Sequence, residues 1–98
     1  MSVFYSDELK QFTHLFPEFT QTQQENVFLF AIGIPIANIA DIRHVSIRSV
    51  QASLIEAQHR LELGSTSSLR AVAQMRLFLP LLRLAFYFFH EKRDFDEV

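Results

Sequence analysis

Cysteine is absent from this 98-residue chain, which excludes disulfides, thiolate chemistry and Cys-based zinc sites. Glycine is scarce, at two residues, and proline occurs three times. An all-β chain needs a turn every 8–12 residues, so this scarcity points to an all-α fold. Two glycines also exclude a Gly-rich phosphate loop. Excess positive charge is lacking as well: nine Lys and Arg stand against eleven Asp and Glu, a net charge of −2. A polybasic protein that holds nucleic acid by bulk charge is thereby excluded, though a local basic face is not. The amino-terminal residues Met1 to Asp7 have neither the charged nor the apolar segment of a signal peptide, and a cytoplasmic location is expected. Tryptophan is missing, whereas phenylalanine occurs eleven times. With 49% apolar and 20% charged residues, the composition is that of one globular domain over residues 1–98.

Periodicity and capping signals divide the chain into helices. Ser6 caps a first helix over 6–16, with Asp7 and Glu8 in its first turn and Leu9, Phe12 and Phe16 on one face. Thr20 and Gln23 have capping-box spacing and open a second helix, with Val27, Phe30, Ala31 and Ile34 to one side. Gly33 supplies the positive φ of a helix end. Pro35 restarts the chain at a first-turn position, followed by a very short helix with Ile36, Ile39 and Ala40. Ser46 opens the next helix, where Val50, Leu54, Ala57 and Leu61 make an inward stripe. Gly64–Ser68 has loop composition, and a densely apolar stretch then runs to His90 before the charged tail 91–98. Three consecutive short helices joined by a Gly turn and a Val-Ser turn make a helix-turn-helix core over 19–63. An N-terminal helix precedes it, and a long apolar C-terminal helical arm, 67–90, follows.

These residues resemble a known family. The run Phe19-Thr20-Gln21-Thr22-Gln23-Gln24-Glu25-Asn26-Val27, continuing to Ala31-Ile32-Gly33, is similar to the opening of the LuxR/NarL-type (GerE-like) DNA-binding domain. Ile39-Ala40 matches the Ile-Ala pair of that family's second helix. Val45-Ser46-Ile47-Arg48-Ser49-Val50 resembles the start of its recognition helix, with Ala57 and Leu61 at its later Ile and Leu positions. All fall in one register over residues 19–61. The resemblance implies a four-helix domain that binds DNA as a dimer, usually in bacterial transcription factors. The chain departs from the pattern at Pro35-Ile36-Ala37-Asn38 and at Gln51-Ala52-Ser53, where two cations of the family are missing. It also departs at Leu61-Glu62-Leu63-Gly64, which carries about two extra residues.

With Val50, Leu54, Ala57 and Leu61 inward, the outer face of the third helix carries Ser46, Ile47, Arg48, Ser49, Gln51, Ala52 and Ile55, with Gln58 or His59 beyond them. Arg48 suits guanine or phosphate, Gln51 suits adenine, and Ile47 or Ala52 suits a thymine methyl. Ser46 and Ser49, with the helix N–H groups, suit a phosphate. Arg43, Arg48 and Arg60 would give a dimer about four to six phosphate contacts, hence weak or partner-assisted DNA binding. Two apolar Ile on the same face suit a protein surface better than a phosphate.

The arm is the part of the chain that the resemblance does not cover. Leu77–Phe89 is shorter than the about 20 residues of a membrane span and is interrupted by Arg83, so no membrane partner is expected. Arg70, Arg76 and Arg83 read as one solvated stripe, and Pro80 as a kink or break near Leu77–Leu79. Leu77, Leu81, Leu82, Phe86, Phe88 and Phe89 are the expected dimer interface. The partner is a second copy or a larger LuxR-type regulator. No metal site is expected: His90 and Asp94 have i, i+4 spacing but lie in the tail. No cofactor or enzymatic activity is expected either. The expected function is that of a small dimeric transcriptional regulator reading duplex DNA through helix 46–62. The rival is a helix-turn-helix module that has given up DNA and binds another regulator as antagonist or coactivator.

Overall fold

A computed structural model describes residues 15–96, with side chains as far as His90. Four helices succeed one another among these residues: α1 (Gln21–Ala31), α2 (Ile36–Arg43), α3 (Ile47–Arg60) and α4 (Thr66–Asp96). The described chain is all-helical. The expected helix over 6–16 lies outside the described residues apart from Leu15 and Phe16.

Each helix begins where a side chain can serve its first free N–H groups. Thr20 and Gln23 form the capping box reciprocally, Gln23 N donating to Thr20 Oγ1 at 3.3 Å and Thr20 N to Gln23 Oε1 at 3.1 Å. Ser46 Oγ accepts from Ser49 N at 3.0 Å, and Ser65 Oγ accepts from Ser68 N at 3.1 Å. Pro35 occupies the cap of α2, one residue earlier than its expected first-turn place. The helix ends share one device. After α1, Ile34 N reaches Leu29 O and Gly33 N reaches Phe30 O; after α2, Val45 N reaches Ala40 O; after α3, Leu63 N reaches Gln58 O. These are Schellman closures, which need one residue in the left-handed region. Gly33 fills that position at φ +99°, but His44 and Glu62 fill it at φ 57° and 55°.

The core forms where α1, α3 and the first turns of α4 meet, with α2 closing one side. Val27, Leu29, Phe30, Ile39, Val50, Leu54, Ala57, Leu69 and Ala73 are buried there, and Phe16 and Phe19 stack beneath them at 5.5 Å. The inward stripe of α3 is as expected, with Leu61 packed at its edge.

α4 departs from expectation in four ways. It starts at Thr66, because Ser65 acts as its cap within what had loop composition. It continues through Pro80 and on to Asp96, so neither a break near Leu77–Leu79 nor a non-helical charged tail over 91–96 is observed. Pro80 costs the helix one N–H donor, but it is exposed, so water can serve the carbonyl it leaves behind. Leu77 is buried at 8% exposure in its own chain's core and is not part of a surface for a second chain. Finally, the arginines do not form one solvated stripe. Arg70 Nε donates to Phe30 O at 3.2 Å, with its guanidinium carbon 3.9 Å from the Phe30 ring centroid. Arg76 Nη1 donates to Leu15 O at 3.0 Å and to Glu18 Oε2 at 2.7 Å. Gln74 Nε2 adds a bond to Ala31 O at 3.0 Å. Together these side chains tie the root of α4 to the C-terminal end of α1 and to the segment that precedes α1.

Beyond Leu77 the arm leaves the core. Phe78, Leu79, Leu81, Leu82, Leu84, Phe86, Tyr87, Phe88 and Phe89 are all exposed. The uninterrupted helix also changes the membrane reckoning: by length and composition alone, Thr66–His90 is long and apolar enough to cross a membrane.

Candidate nucleic-acid interface

On α3 the outward residues follow from helical geometry at 100° per residue. Val50, Leu54 and Ala57 are buried, which leaves Arg48, Ala52, Ile55 and His59 on the diametrically opposite ridge, flanked by Ile47 and Gln51. All of these side chains are exposed, as are Ser46 and Ser49. Thus all seven residues expected at a DNA surface are accessible, but only Arg48, Gln51, Ala52 and Ile55 share one side of α3, while Ser46, Ile47 and Ser49 are spread around its first turn. Gln58 does not join them, because its amide turns back to Leu63 O at 3.1 Å.

Two expectations about charge change. Ser46 Oγ takes up the Ser49 N–H, so the N–H groups left for an anion at the start of α3 are those of Ile47 and Arg48. The three arginines are also not equivalent. Arg43 is ion-paired with Glu25 across α1 and α2. Arg60 donates to Glu18 O at 3.0 Å and lies 3.8 Å from Glu56. Arg48 has neither a hydrogen-bond nor an ion-pair partner among the described residues. It stands in the first turn of α3, the turn that also carries the two free backbone N–H groups. A phosphate oxygen brought there would meet a guanidinium and the positive end of the helix dipole together.

Ile47 and Ile55, at 48% and 46% exposure, give the face an apolar component. The arm carries a separate feature, an open groove of about 410 Å³ lined by Leu79, Leu82, Arg83, Phe86, Tyr87 and His90. Phe86 and His90 stack there at 5.7 Å. Of the expected dimer residues, Leu81, Leu82, Phe86, Phe88 and Phe89 are exposed on the arm, but they divide between two sides of the helix. No cluster of three or more His, Asp or Glu suited to a metal ion occurs among the described residues.

Glu18 is the one described group whose titration is clearly displaced. The hydrogen bond from Arg76 holds its carboxyl below the ordinary range, against an opposing effect of partial burial. It belongs to the clamp at the root of α4, away from the outer face of α3.

The chain finds no match among protein-family models, curated proteins or solved structures.

Proposed function

We propose that the protein is a small dimeric transcriptional regulator that binds duplex DNA by laying α3 in the major groove. The observation that carries this reading is the isolated Arg48 at the start of an accessible helix whose opposite side is locked into the core. An α-helix with its side chains is about 10–12 Å across and the major groove about 12 Å wide, so the exposed ridge fits the groove. The three-residue connection His44–Ser46 between α2 and α3 has the length of a helix-turn-helix turn. Arg48 contacts guanine or phosphate, Gln51 reads an adenine edge, and Ala52 or Ile47 meets a thymine methyl. With Arg43 and Arg60 engaged within the chain, Arg48 is the one unpaired arginine on α3 among the described residues, so affinity is low and a dimer is needed to reach two half-sites.

Fluorescence anisotropy with random duplex DNA tests this. Two neutralised phosphates per dimer give a slope of log K against log salt near −2. Arg48→Ala removes the salt dependence and leaves helicity and oligomeric state unchanged. Absence of binding at low salt refutes direct recognition. A second reading is favoured by exposed Ile47 and Ile55: the same face binds another regulator as antagonist or coactivator. In that case Ile55→Asp abolishes activity and Arg48→Ala is silent.

A further inference from the structure

The arm of α4 is apolar on all sides but the line of Arg83 and His90, and one row of it has the geometry of a self-pairing seam. Met75, Leu79, Leu82, Phe86 and Phe89 follow one another at spacings of four, three, four and three residues, the a/d repeat of a coiled coil. All five are exposed, with Phe86 and Phe89 at 71% and 72%. At 100° per residue this row lies on the opposite side of the helix from Leu69, Ala73 and Leu77, which are buried in the chain's own core. A second helix can therefore run along the row without meeting its own domain. The other exposed row, Leu81, Leu84 and Phe88, continues the buried side, so a helix laid there runs into the domain at Leu77.

We infer that two copies of this chain pair through these five residues as a parallel two-stranded coiled coil. The inference rests on the dimeric reading above and specifies its geometry. Charge sets the direction. Arg76, Arg83 and His90 all fall at the e position of the repeat, and Phe78 and Ala85 at g. In an antiparallel pair, e faces e, which sets the arginines of the two copies against one another. In a parallel pair, e faces g, which lays the Arg83 guanidinium against Phe78 of the partner subunit, a cation–π arrangement. Arg83 has no hydrogen-bond or ion-pair partner among the described residues, so its charge is available for this contact. Area agrees with the occupant. At ~150–250 Å² per large side chain, the exposed parts of the five residues supply roughly 500–600 Å² per copy. The flanking Phe78 and the stem of Arg83 bring this near the ~800 Å² per partner of a stable interface.

A lipid bilayer is the competing occupant, and length disfavours it. The helix outside the core, from Phe78 to His90, spans about 20 Å, against about 30 Å of hydrocarbon.

Because the chain has no cysteine, single introduced thiols report pairing without ambiguity. Met75→Cys and Phe86→Cys, a d and an a position that an antiparallel pair would bring together, are each oxidised separately, together in a mixture, and beside Leu84→Cys on the far side. The parallel pair gives about ten-fold more disulfide-linked dimer in each of the two seam variants alone than in Leu84→Cys, since in-register positions bring their Cβ atoms into disulfide range. Cross-linking seen only in the mixture overturns the parallel arrangement in favour of the antiparallel one. Equal cross-linking at all three positions, or none at any, overturns the seam. In the latter case, co-sedimentation with phosphatidylcholine–phosphatidylglycerol vesicles assigns the arm to lipid. The three positions are exposed, and far-UV circular dichroism verifies that each variant remains helical. The cross-link is read without DNA, so loss of the DNA-binding reading leaves this result intact.

Discussion

Replacing Arg70 with alanine separates a structural arginine from a solvated one. Two interactions are lost at once: the bond from Nε to Phe30 O at 3.2 Å and the stacking of the guanidinium on the Phe30 ring at 3.9 Å. Phe30 O also accepts from Gly33 N at 3.2 Å, so the carbonyl is not left without a donor and the penalty for a buried orphan does not apply. A charge-assisted bond at this half-buried position contributes about 1–1.5 kcal/mol net, and the cation–π contact about 0.5–1 kcal/mol. Arg70→Ala is therefore destabilising by about 2 kcal/mol, or roughly 10 °C in melting temperature for a domain of this size. Arg70→Lys, which keeps the charge but not the planar fork, recovers about half of this. Arg48→Ala is the control and stays within about 0.5 kcal/mol of the parent. Urea unfolding followed by circular dichroism at 222 nm measures all three, and repetition in high salt separates the packed contact from a screened surface charge. An Arg70→Ala protein as stable as Arg48→Ala refutes the argument that α4 is fastened to α1 through its arginines.

Three further outcomes follow from the same structure. At the helix ends, His44→Gly and Glu62→Gly each stabilise by up to ~1 kcal/mol by relieving a left-handed backbone. Gly33→Ala does the reverse by a similar amount, although no atom lies within 4 Å of the added methyl; thermal melts compare the three. Glu18 titrates below its ordinary value when folded, so its stabilising effect is complete above an unfolded value of ~4.3. That effect fades as pH falls through the lower folded value. Glu18→Gln flattens this acid limb, by less than ~1 kcal/mol for a partly exposed pair. Pro80→Ala restores a donor in mid-helix, worth up to ~3 kcal/mol locally, and hydrogen exchange slows in the turns around residue 80.

The parts of this fold that could be read from sequence are those written in residue types with few uses. Thr20 with Gln23, Gly33 and Ser46 mark helix limits because hydroxyl caps and positive φ select such residues. The spacing of Val50, Leu54 and Ala57 fixed the inward side of α3, and with it the exposed ridge that carries Arg48. The ends of α2 and α3 were illegible, since His44 and Glu62 adopt a glycine conformation without being glycine. Arg70 and Arg76 were misread because an arginine in an apolar helix looks solvated until its target carbonyls, 40 and 61 residues earlier in the chain, are brought beside it. Which arginines remained free could not be known before Glu25 and Glu18 had taken their partners. Pro80 misled for another reason: its ordinary effect is to break a helix, and the exposed surroundings that let the helix continue are a property of the fold.

The unbroken run of α4 makes it a lever with its fulcrum in the core. Leu69, Ala73 and Leu77 hold one end, and from Leu77 to Asp96 the helix reaches about 28 Å into solvent. A tilt of about 10° at the root moves the tip by about 5 Å, and when the tips are fixed the same tilt moves the domains instead. Two domains joined only at such levers swing apart or together with little loss of internal packing. In the DNA-bound dimer proposed above, the separation of the two α3 helices would then be adjustable by several ångströms, and the arms would set how much variation in half-site spacing the pair tolerates.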